Sequence, residues 1–581
     1  MAEFDTLIRG GTVVDGTGAP ALTADVAIRD GKIAAIGQDL GRARRTVNAD
    51  GLLVTPGWVD IHTHYDGQAS WDPVLMPSLR HGVTTAVMGN CGVGFAPARP
   101  EQHRWLIGLM EGVEDIPAAS LEAGMQWNWE SFPQYLDALD ATPRSFDIAS
   151  MLAHGALRAY VMGERGAANE HATAEDLVAM ARITRESMAG GAVGVSSSRT
   201  AIHIAADGRP VPGTFAVEAE LTAIARAVKA SGHGLLEMVN AGIVGEDIEG
   251  LDREMALMKT IATQSDCAVM FLLLQHNVDP SQWQRQLAVC EAAAREGQRL
   301  IPQVSGRPIS ILFSFEGEHP WRFMPSYQAI RDLPFAERYA ALADPAMRER
   351  LLNDIDPNDT GFSLMYKNPV MWEHTYAAGS PIDYTPPREA CVAEIARRTG
   401  QTPQAVAYYL LLQNNGRAIL THFGVNYAEG NANALHAMMR HPLSALGLSD
   451  AGAHVRFIAD AGMHSYMLTR WVRDTAPDSA HHVPLELMVK KLSSANAGLF
   501  GFADRGALLP GLRADLNLID LGALATAAPS MVYDLPAGMP RLTERVSGYV
   551  GTLVKGEFVT EQGAETGARP GRVLRGGQSA R

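Results

Sequence analysis

"GWVDIHTHYDG", Gly57–Gly67, sets His62 and His64 two residues apart, after a run that reads as a buried strand. Residues i and i+2 of a strand point to one side. Both imidazoles therefore face the same way at the strand's C-terminal end, where neutral nitrogen donors suit zinc and its neighbours. Asp60, two residues earlier on that face, is a candidate for the inner layer. The competing reading is a pair of solvent-facing loop histidines, since H-x-H alone is a weak signal. Its setting, after "PGWVD" and before "LMPSLRHGVTT", favours the metal.

Working outward, short apolar or β-branched runs recur. They are "GWVDIHTH", "GVTTAVMGNCG", "DIASMLAHG", "GAVGVSSSR", "HGLLEMVNAG", "CAVMFLLLQHN", "QRLIPQVSG" and "LSALGLSDAG". Helical patterns lie between several of them, as in "AEDLVAMARITRESMAGG" (Ala174 to Gly191) and "AVEAELTAIARAVKASG" (Ala216 to Gly232), both ending in glycine. This alternation predicts an α/β fold, a closed parallel (β/α)8 TIM-like barrel. Residues 57–500 are assigned to it.

Residues 1–56 read instead as short strands and turns, with Asp30-Gly31 as a hairpin signal. The same style returns after residue 501 in "ADLNLIDL" and "GYVGTLVKGEFV". The two ends are expected to pair into one small β-sandwich, 1–56 with 501–581. The stretch 306–415 is rich in proline and aromatics and fits the barrel repeat poorly. It is expected to be a long insertion before the last strand, covering the site as a lid. Its aromatics, Trp321, Phe323, Tyr327, Tyr366 and Trp372, wall a pocket or form the insertion's own core. "RARR" at Arg42 to Arg45 reads as a solvated turn, and the Gly, Pro and Arg-rich tail is loosely ordered or laid over the body.

At 581 residues and 46% hydrophobic, the chain can bury a barrel core and more, and 19% charged residues argue against disorder. A net charge of −15 disfavours nucleic acid. Cys91, Cys267, Cys290 and Cys391 show no disulfide framework. The N-terminus does not resemble a signal peptide and no run reaches about 18 apolar residues, so no membrane partner is expected and the expected compartment is the cytoplasm. A homo-oligomer is compatible with all of this.

Two more strand ends carry chemistry. Cys91, between glycines in "MGNCGVGFAP", is a small apolar filler if taken alone. Beside an H-x-H site it becomes a candidate thiolate ligand. Asp450, in "LGLSDAGAHV", has helix-capping chemistry available to it. At the last strand of a barrel whose first strand carries H-x-H, it reads as a metal ligand and as the group that takes a proton from water.

These pieces together resemble the amidohydrolase superfamily, and within it the N-acyl-D-amino-acid deacylases (D-aminoacylases). The likeness covers nearly the whole chain. "AHGALRAYVMG", "AGGAVGVSSS", "ADRGALLPGLRADLNLIDL" and "TGARPGRVLR" are similar to that family's third strand, fourth strand, return into the β module and ending. The resemblance implies a (β/α)8 barrel with a β-sandwich from both termini, and zinc, one or two ions. It implies that one metal position uses the first-strand histidines and the eighth-strand aspartate. The other uses the cysteine and histidines ending the fifth and sixth strands. The family needs no carboxylated lysine, and the fourth strand here has none.

This chain departs from that pattern. Glu237 stands where the family has the fifth-strand histidine, and glutamate can still bind zinc through oxygen. The sixth strand reads Gln275-His276-Asn277 against the family's His-His-Lys, so His276 is a candidate ligand or Gln275 occupies the ligand position. Asn277 falls on a lysine that helps read the substrate. The eighth-strand loop looks shortened, with Arg456 its only arginine. Fewer fixed cations weaken the case for a free-carboxylate substrate. His154 and Arg199 are further candidates for substrate contact, each with a structural alternative. His203, His422 and His454 are weaker pocket candidates.

The resulting expectation is a zinc-dependent hydrolase that cleaves a linear amide C–N bond of a small molecule. An N-acyl amino acid or related amide is the expected substrate, with Asp450 as general base and acid. Alternatives are a cyclic amide, carbamate or peptide-like amide, the synthetic or transfer direction, and a non-catalytic barrel scaffold.

Overall fold

The eight runs become eight parallel strands in the computed structural model, which describes residues 3–356 and 367–577. The barrel strands are, in order, Trp58–Asp60, Val83–Met88, Asp147–Ser150 continuing as Leu152–Ala153, Val195–Ser198, Leu236–Val239, Val269–Leu272, Leu300–Val304 and Ala445–Leu446. Each pairs in parallel with the next, from Trp58 opposite Val83 round to Gln303 opposite Ala445. The ring closes just past the strand ends, where Thr63 bridges Ala451 in parallel and the His64 amide donates to the Ala451 carbonyl at 2.8 Å. Asn496 clamps the same seam from the other side. Its amide nitrogen donates to the carbonyls of Val59 (2.9 Å) and Leu446 (2.6 Å).

Alternating residues fill the barrel. Val59, Val87, Ala149, Val193, Leu235, Met270, Ile301 and Ala445 come one from each strand or its lead-in, and Phe500, Phe502 and Leu574 join them. These side chains are all buried, so the interior is a packed core rather than a channel, and burial of each valine, leucine, isoleucine, methionine or phenylalanine among them contributes about 1.5–3 kcal/mol. The expected helices are present outside it as Ala174–Gly190 and Glu218–Ala230. The first begins at Thr173, whose hydroxyl accepts from the Asp176 amide, and ends at Gly191 with φ +117°. This is the capping chemistry its sequence advertises.

The two ends of the chain share one nine-stranded sheet. Leu516–Ile519 lies antiparallel to Leu53–Pro56, which joins the N-terminal strands to Tyr549–Val554 and Glu557–Glu561. Ile8, Val26, Leu516 and Leu553 lie in its apolar core. The tail is laid over the body, since Val573 bridges Ile148 and the Arg572 amide donates to Asp147 at 2.8 Å. Among the described residues, no helix is long and apolar enough to cross a membrane.

The insertion has a core of its own. It runs past residue 415 to the strand Leu420–Val425, which forms a three-stranded antiparallel sheet with Ile309–Phe313 and Thr375–Ala377 that sequence periodicity did not anticipate. Trp321, Tyr327 and Trp372 pack with Phe313 and Tyr408 into a cluster separate from the barrel's. Of the two readings of its aromatics, these three follow the second, while Phe323 is partly exposed and Tyr366 lies outside the described residues. The insertion is fastened at both sides of the barrel mouth. Val425 bridges His276, and the Leu312 amide donates to the Phe457 carbonyl at 2.7 Å.

Candidate metal centre

His62 and His64 leave the first strand together, both fully buried, with ring centroids 5.3 Å apart. Cys91 reaches them from the turn after the second strand, in a left-handed conformation (φ +56°) uncommon for a side chain with a β-carbon. That turn is pressed against the third and fourth strands. A β-carbon on Gly89 would lie 2.3 Å from the Met151 carbonyl oxygen, and one on Gly92 would lie 2.7 Å from the Ser198 nitrogen. Glycine on both sides is what lets the thiol come in. Asp450 is also left-handed, at φ +47°. Strained backbone of this kind tends to gather at functional sites.

Donor atoms of His62, His64 and Cys91 all lie within 4.8 Å of one another. His62 Nε2 is 3.3 Å from Cys91 Sγ and 3.3 Å from Asp450 Oδ1, and His64 Nε2 is 3.6 Å from the same oxygen. A tetrahedral ion with bonds of about 2.0–2.3 Å spaces its donors about 3.3–3.8 Å apart. The donor set and its spacing fit such an ion. Neither ring nitrogen of His64 has a hydrogen-bond partner although the ring is wholly buried, which a coordinated cation would explain.

Electrostatics make the same demand. Burial and then the surrounding Glu114, Glu237, Asp450 and Asp66 push the Cys91 thiol well up. Burial pushes Glu237 up to about 8 and Asp66 up to about 7, and it raises Glu114 well above the usual carboxylate range, with Asp450 next in effect. Asp450 goes the other way. Burial opposes its charge, yet the neighbouring His64 and His62 imidazoles hold its carboxyl well below the usual range. Burial also lowers His64 to about 4, so it is neutral near pH 7 and free to ligate. A divalent cation among these acids would reverse the penalty they impose on one another.

Supporting residues fix the donors. Gln303 Oε1, from the seventh strand, lies 3.0 Å from His62 Nδ1. An amide oxygen there accepts the Nδ1 proton and leaves the Nε2 lone pair aimed at Cys91 and Asp450. Glu114 stands between two histidines, 3.6 Å from His64 Nδ1 and 3.5 Å from His454 Nε2. The Ser449 hydroxyl donates to Asp60 Oδ2 at 2.5 Å, which ties the eighth strand to the inner layer of the first. Sequence reading missed Gln303 and Glu114. Gln303 offered one signal, a polar residue inside the apolar strand "LIPQV"; Glu114 offered none.

The other candidates are placed differently. Glu237 Oε2 accepts from the Cys91 amide at 3.2 Å, and its Oε1 is buried without a partner. His276 is outside the donor cluster, with Nδ1 accepting from the Asp279 amide at 3.1 Å. Gln275 is used up in loop contacts to Ala428, Pro280 and Glu429. Arg199 is bound to both oxygens of Glu254 (2.9 and 2.7 Å) and to the Ala216 carbonyl. Arg456 is bound to Asp115, and to Glu318 at 3.0 Å. His154 sits between Ser197 and Glu220, 2.9 Å from each. Asn277 Nδ2 reaches the Phe423 carbonyl at 3.5 Å, and its Oδ1 is buried without a partner.

A family model described as "Amidohydrolase family" matches residues 45–560. This chain belongs to the amidohydrolase family. The chain is 28% identical to a D-aminoacylase of Alcaligenes xylosoxydans xylosoxydans over 98% of its own length and 97% of the relative's. Among solved structures it resembles a D-aminoacylase described by its binuclear metal centre, with one-metal activation and second-metal attenuation. The TM-score is 0.64 at 25% identity, covering 98% of this chain and 100% of that one. It also resembles the N-acyl-D-glutamate deacylase of Bordetella bronchiseptica complexed with zinc and a phosphonate inhibitor, with TM-score 0.64, 25% identity, and 98% and 99% coverage. As an amidohydrolase of this kind, the protein is a metal-dependent hydrolase acting on C–N bonds other than peptide bonds.

Proposed function

We propose that this amidohydrolase uses zinc to hydrolyse a linear amide of the N-acyl amino acid class. The observation that carries the reading is the convergence of two imidazoles, a thiol and an ionised carboxylate from three strand ends at one end of the barrel. Nitrogen and sulfur donors favour zinc over the oxygen-loving divalent ions. A bound zinc ion would lower the pKa of a water toward about 7 and polarise the scissile carbonyl. Asp450, held ionised beside His62 and His64, takes the proton of the attacking water and returns it to the leaving nitrogen. Gln303 holds His62 in position, and Glu114 stands beside His64 and His454. The insertion, fastened to the loops of the sixth and eighth strands, is read as a cover that keeps bulk water out. Four free, buried cysteines support a reducing compartment.

Amine release from N-acyl-D- and N-acyl-L-amino acids, aryl amides and cyclic amides tests this. Turnover is expected on one of the linear acylamino acids. Asp450→Ala is expected to lose about 100-fold or more of it while keeping its circular dichroism spectrum; near-normal activity in that variant rejects the role. A second reading, a cyclic amide without a carboxylate, rests on Arg199 and Arg456 being occupied by Glu254, Asp115 and Glu318. Turnover confined to cyclic amides would select it.

A further inference from the structure

The donors from the fifth and sixth strands are not arranged as a second ligand set. The family resemblance puts a second ion on the cysteine with one histidine from each of these strands. Here the fifth strand supplies Glu237, which uses one oxygen to accept from the Cys91 amide at 3.2 Å. On the sixth strand the Gln275 side chain is spent on Ala428, Pro280 and Glu429, and its backbone pairs with Asn426 on both sides.

His276 is the remaining imidazole, and its hydrogen bonding makes it unsuitable. Its Nδ1 accepts from the Asp279 amide at 3.1 Å. A neutral imidazole has one proton, so that bond puts it on Nε2 and leaves no lone pair there for a cation. The ionised groups that act on His276 are Asp279, Glu246 and Arg285, none of them from the donor cluster. Cys91, the remaining member of the would-be second set, has its sulfur 3.3 Å from His62 Nε2 and so belongs with the first.

We infer that this chain is built for a single ion, held by His62, His64, Asp450 and Cys91, and that its second metal position has been dismantled on the fifth and sixth strands. The inference rests on the metal reading above and deepens it. Here the thiolate joins the histidine pair, and His276 presents an N–H instead of a lone pair.

The test is metal content and cobalt spectroscopy on the full-length protein. Metal-stripped protein is titrated with Co(II), and zinc-loaded protein is dialysed and measured by mass spectrometry. One ion per chain is expected, with a thiolate-to-cobalt absorption band that rises to a single break at one equivalent. Cys91→Ser is expected to lose that band. His276→Ala is expected to keep both the band and the one-ion content, and activity is expected to be indifferent to excess zinc. Two tightly held ions, or a thiolate band that appears only after the first equivalent, would overturn the inference and leave the proposed hydrolysis standing. No ion at all would overturn both. If His276→Ala fails to fold, the wild-type stoichiometry and break point still decide.

Discussion

Gln303 shows how much a single side chain outside the donor set can matter. It touches no candidate ion, yet its Oε1 at 3.0 Å from His62 Nδ1 decides which imidazole nitrogen carries the proton. Gln303→Leu keeps a similar volume and removes the acceptor, so His62 is free to rotate and to change tautomer. Partners of this kind are worth about 10–100-fold in metal affinity. The expected result is a fall of that size in competition with a chromophoric chelator, with the unfolding midpoint of the metal-free protein little changed. Unaltered affinity would mean that packing alone orients His62. Arg199 and Arg456 teach the opposite lesson. Read along the chain they were guanidinium groups near strand ends, but pairing with Glu254, with Asp115 and with Glu318 depends on residues 55, 341 and 138 positions away.

At the scale of elements, the barrel seam links fold to chemistry. The first and eighth strands carry His62, His64 and Asp450, and they are joined by the Thr63–Ala451 bridge, the Asp60–Ser449 hydrogen bond and Asn496. Asn496→Ala deletes two donors and leaves the Val59 and Leu446 carbonyls buried, at about 1–3 kcal/mol for each group left unsatisfied. Urea unfolding is expected to show a loss of that order, and the variant is expected to bind zinc more weakly although no donor has changed. Full metal affinity in a destabilised variant would show that the seam is not what aligns the donors. Much at this scale was legible beforehand. All eight strand runs were visible because apolar stretches bounded by glycine alternate with helical periodicity, and the approach of Asp450 to His62 and His64 follows from their places at the ends of the eighth and first strands, whereas the family resemblance assigns Cys91 to the other metal position. The insertion's sheet was not visible, because "ISILF" and "LTHFGV" pair residues 107 to 116 positions apart, through the tertiary fold alone. The His276 register was hidden for the same reason, since the Asp279 amide that engages its ring is set by a loop conformation.

For the molecule as a whole, the donor cluster is a charge problem whose solution depends on pH. In the metal-free fold, burial raises Asp66 to about 7 and Glu237 to about 8, so both keep their protons near neutrality. Unfolded, the same carboxyls ionise near about 4. Between those limits the unfolded chain binds fewer protons than the folded one, so the stability of the metal-free protein falls as pH rises, by up to about 1.4 kcal/mol per pH unit for each carboxyl. Asp450 acts with the opposite sign. Its folded-state value is depressed, so its contribution is present above about 3.8 and is lost only in stronger acid, below this window. A bound cation replaces the protons as the counter-charge, and its stabilisation, which grows with occupancy of the folded state, should increase as the donors lose their protons. Urea midpoints for stripped and zinc-loaded protein at about pH 5, 6.5 and 8 are therefore expected to diverge, with the gap widest at the alkaline end. Parallel curves would mean that these acids do not sense the ion, and would remove the electrostatic reason for the cluster to need one.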